Sequence, residues 1–170
     1  MTSRRLVLLR HAQAEQFAAS DDMRALTARG RRDAAAAGRW LQEQDLLPDL
    51  TIVSSAARTQ ETWACVADAA GSTLAPIVDG AVHQGSTDVA LETLRCTQGD
   101  PGTVLLLGHN PTIASLAMLL DDGAGDAAVL ARVTEGYPTC TAAVLEVHSP
   151  WSELEYGGAT LRALHTVRES

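Results

Sequence analysis

Three short apolar runs, residues 6–9, 50–54 and 103–107, each stop at hydrogen-bonding residues, and each is followed by a stretch with helical spacing. Runs of four to six apolar residues are too short for helices and read as buried strands. Strands that alternate with helical patterns build a mostly parallel sheet covered on both faces, which predicts an α/β fold, a three-layer α/β/α sandwich. The length of 170 residues fits a single domain spanning 1–170, and no repeat or Pro/Ser-rich linker divides it. In such sheets ligands bind outside the carboxyl ends of the strands, so the residues where the runs break off are the first candidates for function.

The first run, Leu6-Val7-Leu8-Leu9, ends at Arg10-His11. Arginine brings a planar fork suited to phosphate or carboxylate, and histidine can act as base, acid, metal ligand or nucleophile. Beyond a polar connection, Thr27 is the expected N-cap of a helix whose inner face carries Leu26, Ala34, Ala37 and Leu41. The second run, Leu50–Ser54, leads through Ser54-Ser55 into a helix with Thr62, Cys65, Val66 and Ala69 as its expected buried stripe, ended by Gly71. Arg58 falls in the first turn of that helix, where the dipole disfavours a cation, so a nearby anion would give its position a reason.

A weak strand at 76–78 is followed by an expected loop at 79–85, and then by a helix capped at Ser86-Thr87-Asp88. The third long run breaks at Gly108-His109-Asn110-Pro111, with Asn110 as expected N-cap and Pro111 at the first helical position. Residues 121–138 read as a connection. Two closing strands, 142–147 and 159–167, have no helix between them and predict an antiparallel edge. His148 and His165 in this region read as structural.

Arg10, His11, Arg58 and His109 are thus brought to one crevice by three strand-to-helix junctions. Two guanidinium groups and two imidazoles, with no convergent carboxylate expected, make a trap for a phosphoryl dianion. A neutral His in that trap can attack phosphorus and divide one displacement into two. No carboxylate cluster has metal-ligand spacing, so neither a metal nor another cofactor is expected. The net charge of -8 argues against nucleic acid or an anionic membrane surface as partner. No run is long enough for a spanning helix, no secretory core is visible, and a cytoplasmic location is expected, with a monomer as default. Cys65, Cys96 and Cys140 are widely spaced in apolar surroundings and read as reduced core thiols.

The motifs Leu8-Leu9-Arg10-His11-Ala12, Leu26-Thr27-Ala28-Arg29-Gly30, the segment 54–62 (SSAARTQET) and Gly108-His109-Asn110-Pro111 resemble those of the histidine phosphatase (phosphoglycerate mutase-like) superfamily, in the family's order. Gly136-Tyr137-Pro138-Thr139 leading into a strand resembles its small SixA-type phosphohistidine phosphatase branch. The resemblance implies His11 as phosphorylated nucleophile, Arg10, Arg58 and His109 as the phosphate pocket, and no metal. Its implied substrate is phosphohistidine in a protein. The alternatives are a small phosphorylated substrate, cleaved by a phosphomonoesterase of the same superfamily, and a phosphate-binding module without catalysis. Two departures stand out: Ala12 replaces the usual Gly, and Phe17 stands where mutase-like members carry a phosphate-contacting Asn, which points away from sugar-phosphate mutase chemistry. The general acid of those members has no plain counterpart. Asp79, His83 and Glu15 are the positions to consider, and a loop His83 without a role is the expectation.

Overall fold

The computed structural model describes residues 3–170, and its strands form one six-stranded sheet. In chain order the elements are β1 (Arg4–Arg10), α1 (Ala28–Glu43), β2 (Leu50–Ser54), α2 (Ala57–Ala70), β3 (Ile77–Asp79), α3 (Gly80–Gln84), α4 (Thr87–Arg95), β4 (Thr103–Gly108), α5 (Thr112–Leu120), α6 (Ala127–Glu135), β5 (Thr141–Val147) and β6 (Ala159–Thr166). The strand order is β3-β2-β4-β1-β5-β6. The first four strands in that order are mutually parallel, and β5 runs antiparallel to both β1 and β6. This is the expected α/β sandwich with an antiparallel edge.

Uninterrupted apolar strands follow from burial on both faces. Along β1, Leu6 and Leu8 belong to a core with Leu91 and Leu94 of α4 and Leu116 and Leu120 of α5. Val7 and Leu9, pointing the other way, join Ala34, Ala37 and Leu41 of α1 and Trp63 and Val66 of α2. A period of two along the strand therefore feeds two separate cores.

Several expectations need correction. Residues 79–85 are not a loop: Asp79 caps the short α3 by accepting from the Ala81 N–H (2.8 Å). The connection at 121–138 contains α6, capped by Asp126, with only Val133 fully buried among its residues. Asn110 does not cap α5, which starts at Thr112 after Pro111, because its side chain is drawn to the Tyr137 carbonyl instead. The buried stripe of α2 is Thr59, Thr62, Trp63, Val66 and Ala70, while Cys65 and Ala69 lie at its margin. Of the cysteines only Cys140 is a core thiol; Cys65 is half-buried and Cys96 exposed. Among the described residues no helix is long and apolar enough to cross a membrane.

Candidate active site

Strands β2, β4 and β1 are adjacent and parallel, so their carboxyl ends share one edge. Arg10 pairs in register with Gly108, and the His11 N–H continues the ladder to the Gly108 carbonyl (3.1 Å). This main-chain pairing puts the His11 and His109 rings 5.3 Å apart, centre to centre. From β2 the chain turns through Ser54-Ser55-Ala56 into α2, whose second residue is Arg58.

The segment after His11 is held from two sides. Ala12 is fully buried, and its N–H donates to Thr62 Oγ1 (3.1 Å), which itself donates to the Arg58 carbonyl (2.6 Å). Ala12 is not among the residues with positive φ, so its extra methyl costs no backbone strain. On the other side Thr27, the expected cap, accepts from the Gly30 N–H (2.9 Å), and its own N–H donates to the Gln13 carbonyl (3.0 Å). A Cβ at Gly30 would collide with that same Gln13 carbonyl, so only glycine lets α1 approach this closely.

His11 is 7% exposed, and its Nδ1 lies 2.7 Å from the Ala12 carbonyl oxygen. A carbonyl can only accept, so Nδ1 carries the proton and Nε2 keeps its lone pair. Burial, reinforced by the charges of Arg58, Arg10 and Arg24 and opposed by the Ala12 hydrogen bond, lowers the imidazole pKa to about 4. The ring is therefore neutral across the physiological range. His109 is likewise lowered to about 3, by burial and then by Arg58, His11 and His83.

Arg10 donates from Nη1 to the Tyr137 carbonyl (2.9 Å), which also accepts from Asn110 Nδ2 (2.8 Å). Arg58, 6% exposed, donates from Nη1 to the Asp21 main-chain oxygen (2.9 Å) and from Nη2 to Asp21 Oδ2 (3.2 Å). These contacts leave Arg10 Nε, Arg58 Nε, His109 Nδ1 and the acceptor Asn110 Oδ1 buried without a partner among the described residues. His109 Nε2 sits 2.7 Å from Ser54 Oγ, whose oxygen already receives the Ala56 N–H (3.4 Å). If the Ser54 hydroxyl donates to Nε2, His109 carries its own proton on Nδ1, and the three orphan nitrogens are donors. Buried donors left unpaired are costly, and an oxyanion satisfies several at once.

All four residues expected from the sequence are therefore neighbours. Of the three acid candidates, only His83 reaches them: its Nδ1 is 3.4 Å from both Ser54 Oγ and His109 Nε2. It is not a loop histidine without contacts, because α3 turns it back onto β2 and β4. Asp79 is committed to capping α3, and Glu15 is exposed, holding the chain through its main-chain bonds to Ala25 and Arg24. The expected absence of a convergent carboxylate is overturned by Asp21, which reaches Arg58 from a 3-10 turn at Asp21–Met23. His148 bonds to Thr160 at the opposite end of the sheet, and His165 stacks on Trp40 two strands away from β1.

Tyr137 was legible only as part of the Gly-Tyr-Pro-Thr segment. Its buried hydroxyl donates to the Leu8 carbonyl (2.6 Å) and accepts from the Ala143 N–H (2.9 Å), bridging β1 and β5, while its own carbonyl anchors Arg10. Among the described residues no three His, Cys, Asp or Glu side chains gather as a metal site. A cavity of about 470 Å³ between β3 and α4 is lined by Leu50, Ile52, Ile77 and Val89 and by none of the four cradle residues. The smaller cavity of about 310 Å³ lined by Gln16, Phe17, Ala18, Ser20, Asp21 and Arg24 adjoins Arg58 through Asp21.

Comparison with known proteins bears on the chain as a whole. The family model for the histidine phosphatase superfamily (branch 1) matches residues 6–83. An uncharacterised protein of Mycobacterium tuberculosis is 34% identical over 162 residues, covering 94% of this chain and 100% of that protein. The structure of a protein of Nakamurella multipartitia assigned as a phosphohistidine phosphatase SixA is 31% identical, with a TM-score of 0.82 over 97% of this chain and 96% of that one. The protein histidine phosphatase SixA in complex with tungstate, 22% identical, shares the fold with a TM-score of 0.78 over 95% of this chain and 96% of that one. The class these relationships define is that of the phosphoric hydrolases. The chain belongs to the histidine phosphatase superfamily, and its solved relatives include SixA-type members.

Proposed function

We propose that this chain, acting as a single domain, is a metal-independent phosphatase that carries the phosphoryl group on His11 Nε2, and that its substrate is phosphohistidine in a protein. The observation that carries this reading is the His11 hydrogen bond to its neighbour's carbonyl, which leaves a neutral, unpaired Nε2 in a site where the Nε donors of Arg10 and Arg58 are buried and unpaired. Arg10, Arg58 and His109 hold the phosphoryl oxygens, where charge must be stabilised during transfer. Nε2 attacks phosphorus, the leaving group departs, and water then cleaves the P–N bond and returns the imidazole to its neutral form.

The substrate class follows from proton supply. An alkoxide leaving group needs a positioned acid, which contributes roughly 10²- to 10⁴-fold. Here both cradle imidazoles are held neutral. For Asp21 burial is the largest single influence and raises its pKa, but the charges and hydrogen bonds of Arg58 and Arg24 together outweigh it and hold the carboxyl below its ordinary value, so it is ionised. An imidazole leaving group has a conjugate-acid pKa of about 6.5 and departs with little help. The naming of the Nakamurella relative as a phosphohistidine phosphatase points the same way.

The test is kcat/KM across leaving groups of rising pKa, with His11→Ala alongside. Phosphohistidine should far exceed alkyl phosphates, with activated aryl phosphates between them. Wild type quenched in denaturant should carry acid-labile, alkali-stable phosphate on His11, and His11→Ala should retain oxyanion binding without turnover. Alkyl phosphates turned over as well as phosphohistidine would overturn the substrate assignment. Near wild-type turnover in His11→Ala would remove the covalent mechanism.

A further inference from the structure

Asp21 has no role in the first half of that reaction, yet its position is built with care. The main-chain oxygen of Asp21 accepts from Arg58 Nη1 at 2.9 Å, its Oδ2 from Nη2 at 3.2 Å, and its Oδ1 from Arg24 Nε at 3.0 Å. Arg24 is itself tied to the Glu15 carbonyl (3.1 Å), so the turn is fastened to the segment that follows His11. The main-chain contact keeps the turn docked even when the carboxylate changes partner. Asp21 also lines the cavity of about 310 Å³, ample for a water or a leaving group. A phosphoryl oxygen hydrogen-bonded to Arg58 Nη2 lies within about 6 Å of Oδ2, the sum of the 3.2 Å contact and one hydrogen bond of about 2.9 Å. That gap is the space one bridging water occupies.

We propose that Asp21 is the residue that orients and deprotonates the hydrolytic water in the second half of the reaction. The proposal rests on His11 being the phosphorylated group. Water enters where the first leaving group stood, and Asp21 Oδ accepts one of its protons. Oxygen forms the new bond to phosphorus while the P–Nε2 bond breaks and its electron pair returns to the His11 ring. Hydrogen phosphate leaves, and Asp21 releases its proton to solvent as Arg58 pairs with it again. The charged groups facing Asp21 are Arg58 and Arg24, with His109 near enough to sense its charge. A phosphoryl dianion on His11 draws on Arg58 and weakens that cation's hold, so the carboxylate becomes a stronger base when a phosphoenzyme is present. In the free enzyme the same carboxylate is ionised and offers no proton to a first leaving group.

The experiment is rapid-quench kinetics of Asp21→Asn with an activated aryl phosphate, which makes the first step fast. The variant keeps the shape and the main-chain contact to Arg58. It should release the phenol in a burst within about 3-fold of the wild-type rate, accumulate phosphate on His11, and turn over at least about 10²-fold more slowly, the low end of what a positioned base contributes. Asp21→Glu should recover part of the second rate. Tungstate should bind Asp21→Asn as tightly as wild type or more tightly, because a competing anion has been removed, whereas damage to the cradle would weaken it. Burst and turnover that fall together, or turnover that stays at the wild-type level, overturn the assignment. Failure of the His11 reading is distinct: neither protein then carries label on His11, and His11→Ala still turns over.

Discussion

Replacing Tyr137 with phenylalanine removes one oxygen from a fully enclosed position between two strands. The hydroxyl is inserted between Leu8 and Ala143, which face each other in the β1–β5 register, and it serves both the Leu8 carbonyl and the Ala143 N–H. Both residues are 0% exposed, so water cannot take the hydroxyl's place without prising the strands apart. Each buried backbone group left unpaired costs about 1–3 kcal/mol, and limited closure of the ladder recovers part of that, for a net loss of about 2–4 kcal/mol. With a urea slope of about 2 kcal/mol/M, the unfolding midpoint should fall by about 1–2 M at unchanged slope. Tungstate affinity of the folded variant should change little, because the Tyr137 carbonyl that anchors Arg10 remains. A loss below about 0.5 kcal/mol would refute the reasoning, since the two backbone groups would then have found partners elsewhere.

Arg58→Lys should lower kcat/KM by about 10²-fold or more, because a point charge cannot keep both Asp21 contacts and still offer a donor to the phosphoryl group; steady-state kinetics read this directly. Stability should fall as the pH drops below about 6.5, because the unfolded chain takes up protons that His11, held near pKa 4, and His109, near 3, refuse in the fold. Each refused proton contributes a slope of about 1.4 kcal/mol per pH unit, so Tm measured against pH should be flatter between 4 and 6.5 in His11→Asn than in wild type. Gly30→Ala should lower both Tm and kcat, as its methyl displaces the Gln13 carbonyl and with it the segment after His11. Prolonged dialysis against EDTA should leave activity intact, and tungstate should compete with substrate; activity recovered only by adding a divalent ion would contradict the proposed chemistry.

The strands were legible because burial on both faces demands consecutive apolar residues, and the cradle because Arg10-His11 and His109 interrupt such runs abruptly. Helix α6 was not, since nine residues that bury only Val133 completely show no clear period, and α3 hides its N-cap in Asp79, which also reads as a turn residue. Asp21 was hidden for a different reason. It sits in a polar stretch that looks solvated, and its partner Arg58 lies 37 positions away, a pairing set by where α2 packs and by no local signal. His83 was visible as a residue but not as a neighbour of His109, because the fold of α3 decides its direction.

The order β2-β4-β1 sets three strand-to-helix junctions side by side, so the four side chains are placed by main-chain pairing rather than by a single loop. The β1–β4 ladder spaces the His11 and His109 rings at 5.3 Å, while Arg58 is carried on α2 and fastened to Asp21. A slip of β1 against β4 by one residue would turn every β1 side chain to the opposite face and misplace Arg10 and His11 together, whereas change at the surface residue Phe17 leaves that ladder untouched.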